Sequence, residues 1–169
     1  MKTNILKLTA FLLFLGVSFS SCDDDSKGGE IFPRNVPFTE YSLTGTSCRW
    51  IDTFSSTHLS VPFYPAIVII INSNDELENY ISCSEGDYPE IDFSKWTLLV
   101  VKTSDYNINI DSQVNKIIFQ QSSSNEYLLA ADITPSDTTN AAPLTFSILV
   151  PKISDDSQIE FATIAYVDK

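Results

Sequence analysis

The stretch Ala66-Ile67-Val68-Ile69-Ile70-Ile71-Asn72-Ser73-Asn74-Asp75-Glu76-Leu77 decides the fold class. Its first six residues are apolar without a break and mostly β-branched. Such a run is too short for a buried helix and suits a central strand covered on both faces. Ser73 to Glu76 then has the spacing of a capping box. The Ser73 hydroxyl would take a first-turn amide, and the Glu76 carboxylate would reach back to the Ser73 amide. Leu77, Tyr80 and Ile81 would share one face of a short helix ending near Cys83.

Outward toward the carboxyl end, Ser84–Ser94 is turn-rich and Thr97–Lys102 (TLLVVK) reads as a second buried strand. Ile108 and Ile110 alternate with Asn107, Asn109 and Asp111, which predicts a strand with one wet face, continued or partnered by Val114–Gln120. Tyr127, Leu129, Ala131 and Ile133 line one face of the next strand, and Asp132–Pro143 reads as a polar loop. Leu144, Phe146, Ile148 and Val150 keep the clearest period of two, which Pro151 should stop. Ile159 and Phe161 open a last strand whose apolar phase shifts to Ile164 and Tyr166, as a bulge would cause. Toward the amino end, Phe38–Thr53 alternates brokenly, as one bent strand or two short ones with Gly45 at the bend. The sum predicts a mainly β (α+β) domain over 38–169: a predominantly antiparallel sheet or small β-sandwich with one short helix packed on it.

Before that domain the chain has a different character. Lys2 and Lys7 precede an apolar run, Leu8–Phe19, that ends in Ser20-Ser21-Cys22. As a helix the run would rise roughly 18 Å at about 1.5 Å per residue, short of a bilayer core of about 30 Å. It reads as a cleaved signal peptide over 1–21. Asp23-Asp24-Asp25-Ser26-Lys27-Gly28-Gly29-Glu30 cannot build a core, so 22–37 reads as a solvated acidic tether.

The chain carries a formal charge of −12, and removing the leader, which holds two bases and no acid, makes it more negative. Such a surface repels phosphate backbones, so nucleic acid is excluded as a partner. It is compatible with a basic partner, with calcium, or with solubility alone. Cys48 and Cys83 remain after Cys22. In an exported chain they read either as one disulfide, restricting the unfolded chain by roughly 4 kcal/mol, or as two buried thiols.

No motif names a reaction. His58 is the sole histidine and lies in a Ser/Thr-rich loop, so neither a triad nor a zinc site has its ligands. Glu85, Asp87, Glu90 and Asp92 crowd one connection without the spacing of a calcium loop. A glycosidase would need two acids facing each other across about 5–10 Å. Asp92 reads as a turn cap. Tyr41, Trp50, Phe63, Tyr64 and Trp96 offer two readings: core aromatics, or a platform for sugar or peptide.

Several stretches resemble known patterns. Phe19-Ser20-Ser21-Cys22 resembles a lipobox, with Phe19 in place of the usual leucine. The resemblance implies a diacylglyceryl thioether and an N-acyl chain such as palmitate on Cys22. The acidic run after Cys22 resembles the export signal of Bacteroidetes surface lipoproteins, implying the outer membrane and exposure on the cell surface more than the periplasm. Asp137-Thr138-Thr139 resembles the O-glycosylation site of that group, with Thr138 as acceptor. Ile71-Asn72-Ser73, Ile91-Asp92-Phe93-Ser94-Lys95-Trp96-Thr97-Leu98-Leu99 and Leu149-Val150-Pro151-Lys152 together resemble small Bacteroidetes lipoproteins of no assigned activity. They are distantly similar to the C-terminal domain of PrcB-type subunits of protease complexes. That likeness brings over no catalytic residue and implies an assembly or stabilising role beside another envelope protein; the residues themselves give no reason to expect a cofactor or a metal. A surface glycan-binding module is the alternative.

Overall fold

The computed structural model describes residues 31–51, 66–84, 88–103, 108, 110–138 and 143–164. The unit that contains them, Ile31–Lys169, is mainly β. Among the described residues its strands are β1 (Arg34–Asn35), β2 (Thr39–Tyr41), β3 (Cys48–Trp50), β4 (Ala66–Ile71), β5 (Ile81–Cys83), β6 (Trp96–Thr103), β7 (Gln113–Gln121), β8 (Glu126–Thr134), β9 (Thr145–Pro151) and β10 (Gln158–Ile164), with one helix, α1 (Asn74–Glu78). Two four-stranded sheets form, in the orders β1-β7-β8-β10 and β2-β9-β6-β4, and β3 pairs with β5 in a separate ladder. All pairings are antiparallel except β8 with β10, which runs parallel from Glu126↔Gln158 to Asp132↔Ile164.

Period-two alternation explains the layering. On β6, Leu99 and Val101 point into a core between the sheets, where they meet Ile148 and Val150 of β9 and Phe119, Leu129, Ala131 and Phe161 of the opposite sheet. The Phe119 and Tyr127 rings stack there at 5.2 Å. Leu98 and Val100 point the other way, into a second core with Ile71, Leu77, Ile81, Ile91 and Phe93. The sheet containing β6 is therefore the middle of three layers, and its outer face is capped by α1, the β3–β5 ladder and the 91–93 segment. This is why TLLVVK is apolar on both faces.

The same layering corrects the reading of Ala66–Ile71. Its faces are both packed, with Val68 and Ile70 against the inter-sheet core and Ile69 and Ile71 against the second core. Yet β4 is an edge strand, paired only with β6 among the described residues. Hydrophobicity reports what lies above and below a strand, whereas lateral position is set by the connections.

Other expectations are revised as well. The tether predicted over 22–37 overlaps the fold: Arg34 and Asn35 pair with Gln121 and Gln120, and Val36 N–H donates to the Phe119 carbonyl at 2.9 Å. The helix is only five residues long. Ser73 Oγ accepts the Glu76 amide at 3.2 Å, but Glu76 Oε2 takes the amide of Asn72 at 2.7 Å, not that of Ser73. Ile81–Cys83 is extended, because it must lie opposite Cys48–Trp50. Ile110 is 56% exposed in a turn before β7, and Ile108, Ile110 and Asp111, the described residues of that alternation, belong to no strand. Finally, β10 keeps continuous register, and the irregularity lies in β7, between Val114 and Lys116. The loop predicted from Asp132 begins only after Thr134, the last residue of β8.

Candidate functional site

The two sheets end on the same side in short edges. In one, β1 covers only Gln120 and Gln121 of β7, so the outer edge of β7 from Gln113 to Ile118 has no strand neighbour among the described residues. In the other, β2 is the terminal strand. The chain crosses between them at Val36–Phe38. Beside that crossing lies an open groove of about 580 Å³ lined by the 40–50 segment, by Val114, Lys116 and Ile117 of β7, and by Thr145, Phe146 and Ser147 of β9. A smaller opening of about 340 Å³ continues along β7 and shares Lys116 and Ile117 with the first.

Local sequence fixes the groove's near wall. Gly45 sits at φ +84, a left-handed conformation that a Cβ disfavours, and it lets the chain turn between β2 and β3. Thr46 closes the turn, its amide donating to the Leu43 carbonyl at 3.0 Å and its hydroxyl to the same oxygen at 2.7 Å. Leu43 is buried in the second core, which pins the loop. Ser147 Oγ donates to the Tyr41 carbonyl at 2.8 Å, tying β2 to β9.

Of the aromatic candidates, Tyr41 and Trp50 both line the groove, and both are half-buried against the second core. The Tyr41 hydroxyl is buried with no hydrogen-bond partner among the described residues, and its burial pushes the phenol pKa up. Trp96 stands elsewhere, 38% exposed at the start of β6 opposite Pro151. Tyr64, Phe63, His58, Glu85, Asp87 and Cys22 lie outside the described residues.

The acidic connection acts locally where it is described. Asp92 Oδ2 meets Lys95 Nζ at 2.7 Å, and its Oδ1 accepts from the Ser94 amide at 3.2 Å and from the Ser94 hydroxyl. The bond from Lys95, then that from Ser94, hold its carboxyl down at about 2. Asp92 thus caps the turn into β6, and Glu90 is exposed nearby. Among the described residues Glu40 is the one carboxylate lining the groove, and none of them faces it across the opening as a second acid. Among the described residues no group of three or more metal-ligating side chains occurs. Nor is any helix among them long and apolar enough to cross a membrane.

Cys48 and Cys83, opposite each other in the β3–β5 ladder, are joined by a disulfide. Thr138 is exposed after β8, its hydroxyl donating to Asp111 Oδ2 at 2.7 Å and its amide to Ser136 Oγ at 3.1 Å. Sequence reading passed over Arg49, Lys116 and Ile117. Single bases in strands carry no motif, and only the pairing pattern brings positions 49 and 116 to one groove. Compared with family models, curated proteins and solved structures, the chain matches none.

Proposed function

We propose that the protein is a lipid-anchored, non-enzymatic envelope protein, held in the outer membrane through Cys22 and facing the cell surface. Its β-sandwich acts as a binding or accessory domain for another envelope protein. The observation that carries the binding part is the uncovered edge of β7 beside an apolar-floored groove. An unpaired strand edge is a template for a second chain, and monomeric proteins usually hide it. The leader and Cys22 support the anchoring part, since two signals or chains are needed for stable membrane attachment.

The test is capture from detergent-solubilised envelope with the full chain, wild type against Cys22→Ser. The wild type should fractionate with membranes and retain a stoichiometric partner protein, and Cys22→Ser should appear in the soluble fraction. Recovery of the bait alone would count against the accessory role, and a membrane-bound Cys22→Ser protein against the anchor. A glycan-binding role is the second reading. It is favoured by the two aromatics, Tyr41 and Trp50, that line one groove. It expects retention on immobilised polysaccharide that is lost in Trp50→Ala.

A further inference from the structure

Charge is distributed unevenly over the described surface. Three openings run together along the β1/β7 side, sharing residues from one to the next, and the third is lined by Arg34, Lys152 and Ile153 among others. Of the six bases in the described residues, Arg34, Arg49, Lys116 and Lys152 line these openings, against Glu40 as the one acid. No other acid of the described residues lines them, although Asp132 stands opposite Lys116 in the β7–β8 ladder, and the chain as a whole carries a net charge of −12. Arg34 and Lys152 serve the fold: Arg34 Nε donates to Gln121 Oε1 at 2.7 Å, and Lys152 Nζ to the Asn72 carbonyl at 3.1 Å. Arg49 and Lys116 are exposed, and no carboxylate of the described residues lies within ion-pair distance of either.

The backbone beside them points outward. Phe119 offers its carbonyl to Val36 on the β1 side. Amide and carbonyl of one strand residue share a side, and the side repeats every second residue. Ile117 therefore turns its own N–H and C=O away from β8, into the opening next to Lys116. Its side chain and those of Val114 and Phe146 pack against the inter-sheet core and give the groove an apolar floor.

We infer that this seam takes an extended acidic polypeptide segment, which adds as a strand to the outer edge of β7 with its carboxylates on Lys116 and Arg49. The inference rests on the binding-domain reading above and names the chemistry of the partner. Main-chain bonds to Ile117 supply affinity that is indifferent to sequence. Alternate apolar side chains fill the floor, and the two bases select for acid. The chain's net charge of −12 disfavours such a segment away from these bases.

The probe is a fluorescein-labelled ten-residue peptide alternating aspartate with valine and threonine, titrated into the purified full chain and read by anisotropy. Controls are the peptide with lysine for aspartate and the acidic peptide N-methylated on alternate amides. Binding of the acidic peptide is expected to weaken about tenfold or more in the Lys116→Glu/Arg49→Glu double variant, and to weaken with added salt. The basic and N-methylated peptides should not bind. Both substituted side chains are exposed, and an unchanged circular dichroism spectrum establishes that the variant folds. Equal binding of the basic peptide, full binding by the double variant, or binding of an acidic polysaccharide in preference to the peptide would overturn the inference. Envelope capture that survives the double variant would overturn it too, while leaving the accessory role standing.

Discussion

At the scale of single residues, a few buried polar groups tie together segments far apart in the chain. Thr97 is fully buried at the start of β6. Its hydroxyl donates to Asn72 Oδ1 and accepts the Ile153 amide at 3.0 Å, so it ties the β4–α1 junction to the segment after β9. Asn72 adds its own bonds from Nδ2 to the Ile153 carbonyl and to Asp155. Thr97→Val keeps the shape but strands a buried amide and an amide oxygen, so it should cost about 1–3 kcal/mol, measured as a lowered urea midpoint. An unchanged midpoint would mean that water or relaxation satisfies both groups. Asp92 behaves differently because it is exposed. Its folded carboxyl sits at about 2 against an ordinary 3.8, so the stabilisation it lends is complete above 3.8 and fades as the pH falls toward 2. Carboxyl-carbon NMR should place its midpoint near 2. Lys95→Ala should raise it toward 3.8, since the lysine is the largest cause of the shift. A midpoint indifferent to that substitution would remove the ion pair from the account.

At the scale of elements, the second core depends on very short pieces. Strands β3 and β5 have three residues each and α1 has five, too few to stand alone. The Cys48–Cys83 bond compensates by closing 35 residues of chain, worth about 4 kcal/mol in the loop-entropy account. Cys48→Ala/Cys83→Ala should therefore lower the thermal midpoint while leaving the β spectrum intact, because the two main sheets do not contain the bond. Loss of all β signal would show that the cap layer is needed for the sandwich itself. Much of this was legible beforehand. The alternation at Leu144–Val150, the apolar run on β6 and the face shared by Tyr127, Leu129, Ala131 and Ile133 each follow from a side chain having only two faces to choose from. What stayed hidden was lateral order. Nothing in Ala66–Ile71 distinguishes an edge from a centre when both faces are covered, and Ile81–Cys83 looks helical until its partner at Cys48–Trp50 is known.

At the scale of the whole molecule, the seam arises from an incomplete match between strand lengths. β7 has nine residues and β1 two, so most of one edge has no strand neighbour among the described residues, and the groove opens beside it. No local pattern in the sequence announces this, because Arg49, in the β3–β5 ladder, and Lys116, on β7, line one groove only once ladder and sheet have come together. The aromatic candidates divide in the same way. Tyr41 and Trp50 converge on the groove while Trp96 stands apart on β6, a separation that depends on topology.

The parallel pairing of β8 with β10 sets a timetable. Residues 126–132 must wait for residues 158–164, and β9, made in between, goes to the other sheet. A chain emerging from its amino end thus presents the far side of β8 as a bare hydrogen-bonding rim until residues 158–164 are free. A factor that holds the nascent chain would have this rim to shield throughout that interval.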